Sequence, residues 1–193
     1  MTVADAARPR RPARPALRWL KPADAAGSAA DSTGGLGAAG AGECGGAGSG
    51  AGECCGAAMA DQSVDYPVTR SEELFAGRIW DVLGEEVALP DGQSVWREFV
   101  AHPGAAAVIA INDQGQVLLQ RQYRHPVAME LWEPPAGLLD VPDEPPIETA
   151  RRELVEEADL EAADWRQLVS FLSTPGGTSE AIYVYLARGL TEV

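Results

Sequence analysis

The residues best suited to chemistry lie in one glutamate-rich stretch, Arg152-Glu153-Leu154-Val155-Glu156-Glu157. On a helix, Glu153 and Glu157 fall at i and i+4 on one face, with Glu156 beside them. Like charges at this spacing repel, but a divalent cation reverses the sign, because carboxylates are preferred ligands of hard ions such as Mg2+. Such ions usually share their site with substrate phosphates. The stretch therefore indicates a metal platform for phosphate chemistry, although many glutamate-rich helices are only solvated faces.

A helix must position these glutamates. Two prolines precede a predicted helix from Ile147 to Ala158, where proline suits the first turn. Within it, Ala150 and Leu154 belong to an apolar stripe that is expected to face the core. On the other side, Glu148 and Arg152 are spaced for a favourable i,i+4 pair.

The rest of the C-terminal two-thirds predicts strands separated by turns. Pro90-Asp91-Gly92 predicts a hairpin turn, and Asn112-Asp113-Gln114-Gly115 predicts another. Many strands and one central helix predict an α/β fold in which the helix packs on a mixed sheet. The predicted strands are Arg78–Leu89, Gln93–Ala101, Ala105–Ile111, Val117–Tyr123, Met129–Glu133, Trp165–Leu172 and Ala181–Ala187.

With its flanks, the glutamate-rich stretch resembles the Nudix box, G-x5-E-x7-R-E-U-x-E-E-x-G-U, where U is aliphatic. One extra residue separates Gly137 from Glu144, and Asp159 stands where the box has its second glycine. That glycine serves the left-handed residue that ends the helix, a role that aspartate also fills. The matching residues are Gly137, Glu144, Arg152, Glu153, Leu154, Glu156, Glu157 and Leu160.

Segments outside the box resemble the ADP-ribose pyrophosphatase branch of the Nudix family, in its bacterial and specifically actinobacterial form. They are R-Q-Y-R-H-P at 121–126, E-P-P-A-G at 133–137 and P-G-G-T-S-E at 175–180. Pro175 lies fifteen residues after Leu160, as in that branch. The resemblance covers about 66–193 and implies the Nudix fold, a mixed β-sheet sandwiched with helices (α/β/α). It also implies hydrolysis of ADP-ribose to AMP and ribose 5-phosphate.

The resemblance implies a Mg2+ cofactor, with Mn2+ as an alternative. The expected metal ligands are Glu153, Glu157 and the backbone carbonyl of Ala136, with Glu156 as the next candidate. Arg152 is expected to orient the glutamates through ion pairs. The predicted catalytic side chains are Arg152, Glu153, Glu156 and Glu157.

Substrate contacts are implied at two further places. Arg124 and Glu133 are expected to contact the ADP-ribose, since a guanidinium suits phosphate. Arg121 is a further candidate, but it shares no face with Arg124 on a regular strand, and a structural ion pair is its alternative role. Trp80 is expected either to stack on adenine or to lie in the core. The other predicted substrate-binding residues are Gly176 and Gly177, which permit close backbone approach, and Glu180, for the terminal ribose.

Charge limits the class of partner. The chain has 193 residues, which suits one domain, and residues 61–193 hold nine basic against twenty-four acidic residues. This excess argues against nucleic acid or an anionic membrane surface as a partner. A nucleoside diphosphate sugar remains compatible, because bound Mg2+ locally inverts the field.

Residues 1–58 are rich in Pro and Arg and then in Gly and Ala, and are predicted to be disordered. The Nudix domain is assigned to 59–193, with Met59 as the hypothesised native start. The three cysteines, at 44, 54 and 55, all precede that domain and are interpreted as incidental thiols. A cysteine-free domain without a long apolar run fits a cytoplasmic protein.

The resemblance also predicts features of the two ends of the domain. In this branch a loop glutamate and a closing helix follow the last strand, which here ends near Leu190, whereas the chain stops at Val193. A C-terminally incomplete domain without the final helix is therefore expected. Relatives are homodimers that exchange N-terminal strands, so residues 66–101 are expected to form the dimer interface.

Four functions remain open from the sequence. The first is an ADP-ribose pyrophosphatase, and the second is a Nudix hydrolase for another nucleotide-sugar or dinucleotide. The third is a catalytically inactive nucleotide-binding module. The fourth is a non-enzymatic acidic domain in which the box arose by chance. Metal-dependent turnover separates the first two from the others.

Overall fold

The computed structural model describes residues 16–21 and 63–193, which form ten strands and one α-helix. A 3-10 turn spans His125–Val127. No helix within these ranges has the length and apolarity needed to cross a bilayer. The elements are β1 (Ala16–Leu20), β2 (Val68–Phe75), β3 (Asp81–Ala88), β4 (Ser94–Ala101), β5 (Ala105–Ala110), β6 (Val117–Arg124), β7 (Met129–Glu133), β8 (Ala136–Leu138), α1 (Pro146–Ala158), β9 (Leu160–Leu172) and β10 (Ala181–Glu192).

The central sheet has the order β8-β5-β10-β9 and is mixed, because β5 and β10 run parallel while the other neighbours are antiparallel. Helix α1 packs against all four strands. This arrangement confirms the predicted α/β architecture of a mixed sheet with a helix packed on it. The core residues are Ala106, Val108, Ala110, Leu118, Ala150, Leu154, Ala158, Tyr185 and Ala187.

A second sheet has the order β1-β6-β7 and corrects one prediction. Residues 1–58 were expected to be disordered, but Ala16–Leu20 forms a strand antiparallel to β6, and Trp19 packs against the core. The strand exists because β6 supplies its hydrogen-bond partners, a tertiary effect that composition does not report. Residues 1–15 and 22–62, which include the hypothesised start at Met59 and the three cysteines, lie outside the described ranges.

The third sheet is the meander β2-β3-β4. The predicted hairpin is confirmed in β3 and β4, whereas β2 was not predicted, because its polar sequence lacks strict alternation. Every residue of β2 is exposed. A parallel bridge between Val100 and Thr178 ties β4 to the loop before β10.

Several element boundaries differ from the predictions, and the strand predicted from Arg78 begins only at Asp81. Strand β9 begins directly after the helix at Leu160, and β10 extends to Glu192, because these two strands pair with each other along their full length. The segment Ala136–Leu138, predicted as loop, is a short strand that pairs with β5. The backbone of this short strand therefore lies beside α1.

Candidate active site

Helix α1 carries the acidic residues and is bounded by local signals. Pro146 begins the helix, where its missing N–H costs nothing. Asp159 follows with φ 55° and donates its N–H to the carbonyl of Val155 at 3.0 Å, which confirms the predicted left-handed position. Ala150 and Leu154 are fully buried, as the predicted stripe requires. These contacts set the rotation of the helix and hence the direction of its glutamates.

Two strands hold the carboxylate of Glu157. Its Oε2 accepts a hydrogen bond from Nε2 of Gln120 on β6 at 2.8 Å and another from the N–H of Ala136 on β8 at 3.0 Å. Hydrogen bonds to a charged acceptor are stronger than those between neutral groups. Two of the expected metal ligands, Glu157 and Ala136, are therefore in direct contact.

The carboxylate of Glu153 lies against the backbone of Gly137 in β8. A Cβ on Gly137 would overlap the Glu153 carboxyl group, so a side chain there would force that carboxyl group to shift. Burial raises the pKa of Glu153, and the charges of Glu157 and Glu156 raise it further, while Arg152 lowers it. The predicted contact between the glycine loop and the helix is thus present.

Arg152 links four acidic residues of the box region, which is the orienting geometry that the sequence predicted. Its Nη1 lies 2.6 Å from Glu153 Oε1 and 3.8 Å from Glu156 Oε2, and its Nη2 lies 3.1 Å from Glu144 Oε2. Asp140 is the fourth partner, at 3.7 Å. The planar fork of an arginine suits such a network.

Glu144 is a partner of this network rather than a solvated side chain. Its carboxylate accepts hydrogen bonds from Arg152 and, at 2.7 Å, from the buried Thr149 hydroxyl. These two donors hold the pKa of Glu144 below its usual value, while the Glu144 partner raises the pKa of Arg152. The expected pair between Glu148 and Arg152 is replaced by one between Glu148 and Arg151, at 2.7 Å.

The donors present fit a hard divalent cation. Across residues 16–21 and 63–193, no group of three His, Cys, Asp or Glu side chains is arranged to enclose a metal ion. The expected ligand set needs only two such side chains, Glu153 and Glu157, together with the carbonyl of Ala136. Oxygen donors suit Mg2+, which keeps several waters and binds substrate phosphates. The negative charges of Glu156 and Glu157 raise the pKa of Glu153, and a bound cation would relieve this repulsion.

A cavity of about 530 Å³ lies beside the network, between α1 and the start of β9. Glu144, Arg152 and Glu156 line one side, and Trp165 lies on the other. The guanidinium of Arg151 lies over the Trp165 ring at 5.9 Å. The volume suits a small-molecule ligand.

Arg124 and Glu133 pair across β6 and β7. Nε of Arg124 lies 3.0 Å from both Glu133 oxygens, and its Nη2 lies 2.6 Å from Oε2. This bond raises the pKa of Arg124, and the charges of Glu133 and Glu157 add to the effect. Arg121 instead pairs with Glu130 at 2.5 Å, and both side chains are about half exposed.

Trp80 lies outside both sheet and core. It immediately precedes β3, is 43% exposed and stacks on the His102 ring with centroids 5.7 Å apart. The alternative of a core tryptophan is therefore wrong. Nδ1 of His102 accepts a hydrogen bond from the N–H of Gly104 at 3.0 Å. The same nitrogen lies 3.6 Å from Oε1 of Glu180, but a nitrogen that accepts a hydrogen bond carries no proton to share with the carboxylate.

The remaining predicted substrate residues lie beside β4. Glu180 accepts a hydrogen bond from Ser173 at 2.5 Å, and the carbonyl of Gly177 accepts one from Val100 at 2.9 Å. A Cβ at Gly176 or Gly177 would meet no atom within 4 Å, so the backbone is open on that side. A cavity of about 300 Å³ lies between this loop and β4.

Sequence reasoning missed three residues of this region: Gln120, Thr149 and His102. Gln120 carried a usable signal, because it shares a strand face with the buried Leu118, where alternation predicts an apolar residue. Thr149 likewise lies among the buried residues of α1. For His102 the sequence holds no comparable signal.

Comparison with known proteins adds independent evidence. A family model described as NUDIX domain matches residues 101–192. An ADP-ribose pyrophosphatase of Mycobacterium tuberculosis is 46% identical over 129 residues, which are 67% of this chain and 62% of that protein. An ADP-ribose pyrophosphatase of Bacillus subtilis is 37% identical over 130 residues, which are 67% of this chain and 70% of that protein.

Two further likenesses concern function and fold. A methanol dehydrogenase activator of Bacillus methanolicus is 41% identical over 123 residues, which are 64% of this chain and 66% of that protein. The chain thus covers less than two thirds of the length of the Mycobacterium tuberculosis relative and of the Bacillus methanolicus relative. A solved structure described as an ADP compounds hydrolase matches with a TM-score of 0.57 and 22% identity, over 69% of this chain and 72% of that chain. That likeness supports the α/β fold.

Proposed function

The chain belongs to the Nudix family, and from this premise we propose that it is a metal-dependent hydrolase that cleaves ADP-ribose to AMP and ribose 5-phosphate. The observation that carries the proposal is the position of Glu157 and Glu153 against the short strand β8. Glu157 Oε2 accepts the N–H of Ala136, and Glu153 lies against Gly137. Two carboxylates thus flank one stretch of backbone, as a phosphate-binding cation site requires.

Mg2+ is the proposed cofactor, with Mn2+ as an alternative. Glu153, Glu157 and the Ala136 carbonyl would hold it, and Glu156 is a further candidate. A bound cation would neutralise phosphate charge and lower the pKa of a bound water. Arg152 keeps the glutamates in place by pairing with Glu153 and Glu156 at once.

Substrate recognition is proposed for residues outside the metal site. Arg124 would contact phosphate with a guanidinium that Glu133 already orients. Trp80 offers an exposed indole for stacking on adenine, and Glu180 offers a carboxylate for ribose hydroxyls. The open backbone at Gly176 and Gly177 supports a close approach of the ligand. Arg121 is the weakest member of the set, because Glu130 already pairs with it.

A second candidate function is hydrolysis of another nucleotide-sugar or dinucleotide diphosphate. The Bacillus methanolicus relative, named a methanol dehydrogenase activator, does not share its name with the two pyrophosphatases, so the likeness to relatives does not by itself fix the substrate. A binding module without turnover is the third. The acidic balance of residues 61–193 supports a small-molecule partner in each case.

We further propose a homodimer and a cytoplasmic location. The β2–β4 sheet exposes Val68, Leu74 and Phe75 by 45 to 62%, and such apolar surface is typical of an interface. The absence of cysteine from residues 61–193 supports the location.

The test is AMP release from ADP-ribose by the purified chain with Mg2+, compared with Glu157→Gln. The proposal expects release that needs Mg2+ and is lost in the variant. No release from a folded chain that still binds ADP-ribose would favour the binding module. Release only from another nucleoside diphosphate would favour the second candidate.

A further inference from the structure

Gln120 occupies a position that the fold reserves for apolar side chains. It lies on β6 on the same face as Leu118, and the two side chains are 1% exposed. Its strand neighbours in register are Leu17 of β1 and Glu133 of β7. An amide at such a position must find hydrogen-bond partners or destabilise the fold.

Only half of this amide is satisfied within the described residues. Nε2 donates to Glu157 Oε2 at 2.8 Å, whereas the buried Oε1 accepts no hydrogen bond from any residue in 16–21 or 63–193. The orientation follows from chemistry, because Oε1 facing the carboxylate would set two acceptors against each other. The buried amide therefore serves one contact, the one with Glu157.

That contact converges with a second donor on the same oxygen. The N–H of Ala136 reaches Glu157 Oε2 at 3.0 Å from β8, while Gln120 reaches it from β6. Two donors from two strands fix both the rotamer and the plane of the carboxylate. The direction of the other oxygen, Oε1, is then set as well, since the carboxylate is planar.

We infer that Gln120 is a positioning residue that sets the Glu157 carboxylate in the geometry for a divalent cation. The inference rests on the proposed metal site and deepens it. Gln120 acts through Glu157, whose carboxylate it contacts at 2.8 Å. A residue that holds a ligand in this way typically changes metal affinity 10- to 100-fold when it is replaced.

The test replaces Gln120 by methionine, which keeps the volume and removes the donor. Gln122→Met is the matched control, since Gln122 lies two residues along the same strand and is partly buried. Mn2+ binding is measured by the loss of the free-ion paramagnetic resonance signal, and the melting temperature is measured without metal. Gln120→Met is expected to weaken Mn2+ binding roughly 10-fold or more while the melting temperature stays equal or rises, because the unpaired acceptor is gone.

The Mg2+ dependence of turnover distinguishes a positioning role from a merely structural one. The Mg2+ concentration for half-maximal AMP release is expected to rise in Gln120→Met, whereas KM for ADP-ribose at saturating Mg2+ stays unchanged. Gln122→Met is expected to change neither value. Unaltered Mn2+ affinity in Gln120→Met would overturn the inference.

Two further results keep the test decisive. If Gln120→Met does not fold, Gln120→Leu also removes the donor with a different side-chain shape, and unchanged Mn2+ affinity there also overturns the inference. The outcome is separable from the proposed function. If the wild-type chain binds Mn2+ but does not hydrolyse ADP-ribose, the proposed function is wrong. Weaker Mn2+ binding by Gln120→Met would still support the positioning role of Gln120.

Discussion

Gly137 lies so close to Glu153 that a Cβ on Gly137 would overlap the Glu153 carboxyl group. Gly137→Ala is therefore expected to push a predicted metal ligand out of place. The overlapping atoms are the far end of a flexible side chain, so the shift is expected to cost little unfolding free energy and to act mainly on metal affinity. Urea unfolding measures that cost, and Mn2+ titration measures the loss of metal affinity. Gly176→Ala is the control for stability, because a Cβ there meets no atom within 4 Å. Unchanged Mn2+ affinity in Gly137→Ala would contradict the contact.

Neighbouring arginines offer a matched comparison of ion pairs. Arg152 pairs with Glu144, Glu153 and Glu156, whereas Arg151 pairs with Glu148 at a half-exposed position. Arg152→Gln is expected to lower the unfolding free energy by about 1 kcal/mol, and Arg151→Gln to change it little. Thermal unfolding of both variants measures the difference. Equal effects would show that the Arg152 network adds nothing beyond a surface pair.

Acid stability should depend on Glu144. Its pKa is lowered from the ordinary value of 4.5, first by the Arg152 hydrogen bond and then by that of Thr149. Because the folded pKa lies below the unfolded one, this stabilisation is present above about pH 4.5 and is lost as pH falls through the folded pKa. In Glu144→Gln the drop in melting temperature below pH 4.5 should be shallower than in the wild type. Parallel pH curves for the two proteins would refute the assignment.

The Arg124–Glu133 pair predicts a substrate effect. Glu133→Gln is expected to raise KM for ADP-ribose several-fold, because Arg124 loses the partner that orients its guanidinium. The control is Glu130→Gln, which breaks the Arg121 ion pair across the same two strands. Steady-state kinetics on both variants tests the claim. An equal rise in KM for the control would remove the distinction between the two pairs.

Exposed apolar residues of β2 predict an interface. Phe75 is 62% exposed, and Phe75→Asp is expected to convert a dimer into a monomer of 20.3 kDa, because a buried charge opposes association. Leu172→Asp is the control, since Leu172 is 59% exposed on β9, in another sheet. Light scattering after gel filtration reports the mass. A monomeric wild-type chain would reject the proposed homodimer.

Local signals allowed the helix and its chemistry to be predicted. The helix start at the paired prolines and the buried positions of Ala150 and Leu154 follow from spacing along one segment, and the left-handed Asp159 was expected from the resemblance to the Nudix box. Helix hydrogen bonds join residues four apart, so such information is contained in the segment itself. The β3–β4 hairpin was predictable for the same reason, because its turn lies between the two strands.

Tertiary structure decided what depends on distant partners. Strand β1 exists through pairing with β6, a hundred residues further along the chain, and its own composition predicted disorder. Gln120 reaches Glu157 across 37 positions, and Ala136 reaches it across 21. Side chains and strand edges that meet at such separations are selected by packing and hydrogen bonding in the folded state, and residue spacing along the chain carries no record of them.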